Sequence, residues 1–175
     1  MCSVQKPYPP IWMAANSDSA VERTARSGYP WLMNPHARMD TLVEQMTVYR
    51  GILAGLGKLL PEDMPLMREL RIGRTVDEAV EECRPFLGGK YEVYAQWGQD
   101  RVLPGKENFQ VPFDKLNQGR FIIGGPQECA NEIRRCRDLL GANWLIFRIQ
   151  WPGMDSSYVL KEIKLLGEQV LPEFK

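Results

Sequence analysis

The 175 residues carry 22 Lys+Arg against 22 Asp+Glu, a formal net charge of zero, with 44% hydrophobic and 10% aromatic residues. That length suits one domain with a core of its own, and balanced charge without a basic run excludes the footprint of a nucleic-acid or anionic-membrane binder, leaving a small-molecule partner as the expectation. No apolar stretch approaches the roughly 20 residues of a bilayer span, and the N-terminal MCSVQKPYPP lacks the apolar core of a signal peptide, so a cytoplasmic location is expected.

In chain order, PPIWMAAN is an apolar run of strand length, and SDSAVERTARSG is a helix opened by a capping residue and closed by glycine. YPWLMNP reads as a second strand ended by Pro35. From Arg38 to Gly57, Met39, Leu42, Met46, Tyr49 and Leu53 recur at helical spacing. A third strand is expected around Met67 to Ile72, then a helix over TVDEAVEECRPFLGG, with Thr75 and Glu78 forming a capping box. Between about 90 and 118 the pattern loosens into aromatics, glycines and prolines, an inserted excursion that is partly helical near YEVYAQW. FIIGG is a short apolar lead-in to a helix beginning near Pro126, WLIFRIQW is β-rich, and SSYVLKEIKLLGEQVLPEF is a final helix.

Strands alternating with helices of this length predict parallel pairing, four parallel strands in an α/β domain spanning 1–175. Cys2, Cys83, Cys129 and Cys136 include no tight ligand pair. With a single histidine in the chain, no metal site is expected, and the thiols read as reduced and structural.

The segments PPIWMAANSDSAVERTARSGYPWLMNP and FIIGGPQECANEIRRCRDLLGANWLIFRIQWPGM resemble the C-terminal half of luciferase-like flavin-dependent monooxygenases. The resemblance covers nearly the whole chain. It implies half of a TIM-type (β/α) barrel, FMN as cofactor or a deazaflavin coenzyme in its place, and an organic substrate. Since a complete barrel needs about 250 residues, it also implies a missing N-terminal half that carries most of the flavin-ring and substrate chemistry. Activity of this chain alone is therefore an open question, against a non-catalytic flavin-binding or self-associating half-barrel. Open strand edges recruit partners, so a homodimer or a partner half-barrel is expected.

Barrel sites sit beyond the C-terminal ends of strands. At the first such junction, Ala14 and Ala15 are small enough to let a ligand approach the backbone, and Asn16, Ser17 and Ser19 offer donors at a helix N-terminus, where anions are favoured. The resemblance identifies this turn as a flavin phosphate cradle. Asn16, Ser17 or Asp18 serves equally as a plain N-cap, and the Asp18 carboxylate repels an anion unless it points away. At the second junction, Gly124 and Gly125 permit unusual backbone angles before Pro126. At the third, strand alternation puts Arg148 and Gln150 on one face, with Arg148 either in the barrel mouth or paired across the sheet, and Trp151 is a pocket-lining candidate. His36 and Arg148 are the catalytic candidates, with Asn34 beside His36, and Tyr94, Trp97 and Asp100 are candidates for a lid.

Overall fold

The computed structural model describes residues 4–105 and 107–174, so Cys2 lies outside the described residues. Five parallel strands form the sheet: β1 (Met13–Ala15), β2 (Trp31–Met33), β3 (Pro65–Ile72), β4 (Ile122–Gly124) and β5 (Trp144–Arg148). β3 is the hub. β2 meets it at Leu66, β5 runs beside residues 65–69, and β4 pairs with residues 70–72. The apolar lead-in FIIGG is thus a strand in its own right, and the expected count of four is corrected to five.

The helices are α1 (Asp18–Ser27), α2 (Met39–Gly55), α3 (Val76–Gln96), α4 (Phe113–Asn117), α5 (Pro126–Leu140) and α6 (Ser156–Leu165). α1 ends where Gly28 turns into the left-handed region, with its N–H returned to Thr24 and Ala25 carbonyls. At the start of α3, Thr75 Oγ1 accepts from the Glu78 amide, while Glu78 reaches back to the Arg74 amide at 2.8 Å. α3 does not stop at Gly88–Gly89. It runs through Pro85 and both glycines to Gln96, burying Cys83, Leu87, Tyr91 and Ala95 along one stripe. The final helix is shorter than expected: beyond Leu165 it loosens into a π-helical segment (Leu166–Val170) and a 3-10 turn (Leu171–Phe174), around Gly167 and Pro172.

Register assigns the sheet two unlike faces. Ala15, Met33, Leu66, Arg68, Leu145 and Phe147 share one side; there Trp31 stacks against Tyr49 of α2 and Arg68 lies beside Cys136 of α5. Ala14, Leu32, Met67, Glu69, Arg71, Ile146 and Arg148 share the other. On that side α3 and α6 cover the C-terminal end of β3, where Glu69 meets Lys90 and Arg71 meets Glu82 and Glu162. Towards the N-terminal ends Ala14 is exposed, and Leu32, Met67 and Ile146 are only partly buried. Trp12, just before β1, and Trp144, at the start of β5, bring their rings to within 5.8 Å. Both indoles donate to Asp63, at 3.0 and 2.9 Å, closing that end of the concave face.

Candidate functional site

The β1–α1 turn is built by its neighbours. Ser17 is the N-cap of α1: its Oγ accepts from the Ala20 amide at 3.3 Å and lies 3.3 Å from Ser19 Oγ. Asn34, at the end of β2, donates to Asn16 Oδ1 at 2.8 Å. Gln45 of α2 donates to the Asn16 carbonyl at 2.9 Å and to Asp18 Oδ1 at 3.0 Å. The Asp18 carboxylate is thus tied to Gln45 of α2, a neutral partner that leaves its negative charge at the turn. Ala14 and Ser19 are exposed, and the first-turn amides of Asp18 and Ser19 have no intrahelical carbonyl to bond. Small side chains, free amides and a helix N-terminus make a surface cradle that fits a phosphate.

The second junction is different. Neither Gly124 nor Gly125 adopts a positive φ, so the expectation of unusual backbone angles is corrected. Their lack of a side chain serves close approach instead: a Cβ would come within 2.8 Å of Glu128 Cβ at Gly124 and 2.7 Å of Glu128 Oε2 at Gly125. A carboxylate of the chain itself occupies the position an anion would take.

The third junction opens on a cavity of about 470 Å³ between α3 and the end of β5, walled by Phe86, Lys90, Tyr94, Trp97, Arg148 and Trp151. Glu69 lies at its base. Lys90 Nζ lies 2.5 Å and Arg148 3.4 Å from Glu69 Oε1, and Trp151 Nε1 donates to Oε2 at 2.7 Å. Arg148 also donates to the Tyr94 hydroxyl at 3.0 Å. Arg148 thus pairs across the sheet and lines the mouth at once. Burial draws the Lys90 ammonium below its usual range, with Glu69 opposing. Tyr94 and Trp97 belong to this cavity, whereas Asp100 turns away and accepts from the Phe109 amide. Glu69 and Lys90 were not singled out in the sequence. The charge alternation in RELRIGR was the available signal, and it is the buried partners on α3 that give it meaning.

His36 packs edge-on against Tyr91, Tyr94 and Phe109, and neither ring nitrogen has a hydrogen-bond partner among the described residues. Burial, then Arg148, Lys90 and Arg120, lower its pKa to about 4. It is uncharged at neutral pH and has no proton to donate as an acid. Cys83, Cys129 and Cys136 are buried free thiols; burial pushes Cys83 and Cys129 up to about 12, which leaves them inert.

The sequence profile described as luciferase-like monooxygenase matches residues 2–143. The chain belongs to that family. Three solved structures show the luciferase-like fold. Monooxygenase RslO1 from Streptomyces bottropensis is 19% identical, with 98% of this chain covering 50% of that one at a TM-score of 0.69. The oxygenating constituent of 3,6-diketocamphane monooxygenase, from a Pseudomonas putida plasmid and in complex with FMN, is 14% identical, with 94% covering 49% at 0.70. An F420-dependent secondary alcohol dehydrogenase bound to an F420–acetone adduct is 13% identical, with 94% covering 48% at 0.65. This luciferase-like chain spans about half the length of those proteins and has the architecture of half of a TIM-type barrel. No curated protein matches it.

Proposed function

We propose that the chain is the flavin-binding half of a luciferase-like oxidoreductase, with the β1–α1 turn holding the phosphate of FMN. The observation that carries this is the start of α1, where Gln45 bonds Asp18, Ser19 is exposed and the amides of Asp18 and Ser19 have no intrahelical carbonyl to bond. Exposed Ala14 lets the cofactor approach the backbone, whereas Ala15 is buried with its carbonyl accepting from the Trp31 indole, and Asn34 fixes Asn16. Bound reduced flavin supplies the activation of dioxygen for insertion into an organic substrate. A deazaflavin coenzyme is the alternative, favoured by the F420-dependent structural neighbour. The chain's own residues bind and orient; Arg148 and its ion pair set the charge beside the cavity.

The half-length match favours one further reading, a flavin-binding module without activity of its own. In either case the partly open sheet face and the strand edges take a second copy or a partner half-barrel, in the cytoplasm. Calorimetric titration with FMN tests the cradle: Ser17→Glu places a carboxylate against the phosphate and is expected to weaken binding by about tenfold or more. Unchanged affinity removes the cradle assignment. Oxygen uptake with chemically reduced FMN separates enzyme from module.

A further inference from the structure

We infer that the cavity between α3 and the end of β5 is a binding site for a planar aromatic carboxylate. Its size lies within the range of small-molecule sites, about 300–1,000 Å³. Its walls include the aromatic side chains Phe86, Trp97 and Trp151, with Trp97 69% exposed. Its charge is unbalanced. Lys90 and Arg148 face one carboxylate, Glu69, whose oxygens are already occupied by those two cations and by the Trp151 indole. One positive charge is left over beside aromatic walls.

The polar groups that remain include hydrogen-bond donors. The Tyr94 hydroxyl accepts from Arg148, and its own proton has no acceptor among the described residues. Arg148 is only partly buried and can turn further N–H groups towards a ligand. Gln150 lines the same wall with its amide. Excess positive charge, available donors and aromatic walls select a conjugated acid over a neutral ring, because the carboxylate takes the leftover charge and the ring takes the walls.

The site lies at the C-terminal end of β5, and the β1–α1 turn lies at the C-terminal end of β1. All strands are parallel, so both are at one end of the sheet. Calling the ligand a substrate rests on the flavin reading; the binding itself does not.

The test is calorimetry with 2-naphthoate and its neutral counterpart 2-naphthylmethanol, in the absence and presence of FMN. The account expects naphthoate to bind about tenfold tighter than the alcohol. Arg148→Gln should remove that preference and leave alcohol binding in place, and Trp97→Ala, which alters an exposed side chain and spares the fold, should weaken both. Equal affinities for acid and alcohol overturn the inference, as does naphthoate binding that is unaffected by Trp97→Ala. Competition between FMN and naphthoate also overturns it, since the cavity would then seat the flavin ring. Naphthoate binding in a protein that fails to bind FMN upholds the site and defeats the flavin reading alone.

Discussion

His36, the only histidine in the chain, is held uncharged by burial and by Arg148, Lys90 and Arg120 around it. Its pKa in the folded protein is depressed from 6.5 to about 4, so unfolding takes up a proton anywhere between those values. Its contribution to stability is present above pH 6.5 and is lost as pH falls towards 4, on the order of 1–3 kcal/mol. Glu162 acts in the opposite sense. Burial, partly offset by Arg71 and the Ile72 amide, pushes its carboxyl up to about 8, so its contribution declines as pH rises from 4.5 to 8. Comparing wild type with His36→Phe isolates the histidine, because phenylalanine suits a pocket of Tyr91, Tyr94 and Phe109. Urea denaturation across pH 4 to 6.5 should show a shallower loss of stability on acidification in the variant; parallel curves would mean that the ring is not buried as described.

Among the elements, α2 has no side-chain cap of its own: its N-cap is Arg38. Glu107, from the excursion, does that work across a long sequence separation, accepting from the Arg38 amide at 2.7 Å and from Thr41 Oγ1 at 2.8 Å while pairing with Arg120. Glu107→Ala removes the cap and leaves Arg120, 2% exposed, as an uncompensated buried charge. Chemical denaturation should record a loss of about 3–5 kcal/mol, against less than about 0.5 kcal/mol for Asp138→Ala at the exposed Arg137–Asp138 pair. Equal effects would contradict the capping role. What could be read from sequence follows the same division. Ser17, Gly28 and Thr75 act within a few residues of the helix they bound, and those ends were legible. Glu107 acts through space, and nothing in its neighbours marks it as a cap. α3 passes two glycines because Leu87 and Tyr91 on either side of them are fully buried, so tertiary packing overrides local preference. At the site, the capping role of Ser17 was legible, and the phosphate cradle at that turn is a proposal. The third-junction cavity was only partly legible: Arg148, Tyr94, Trp97 and Trp151 stood out, but Glu69 and Lys90 join them only through the packing of α3 on β3.

For the molecule as a whole, the two sheet faces decide the behaviour. One is sealed by helices; on the other, Ala14, Leu32, Met67 and Ile146 retain exposure, and Trp144 on the edge strand is 53% exposed. An apolar sheet face with open edges favours association, and size-exclusion chromatography with light scattering at micromolar concentration should report a dimer or larger. A clean monomer would show that the face tolerates water. The central claim is that the β1–α1 turn receives a phosphate at one end of a parallel half-barrel. Its most direct measurement is the affinity of the purified chain for FMN against riboflavin, which differ only in that group. FMN should bind about tenfold tighter or more than riboflavin. Equal affinities, or no binding of either, would contradict it.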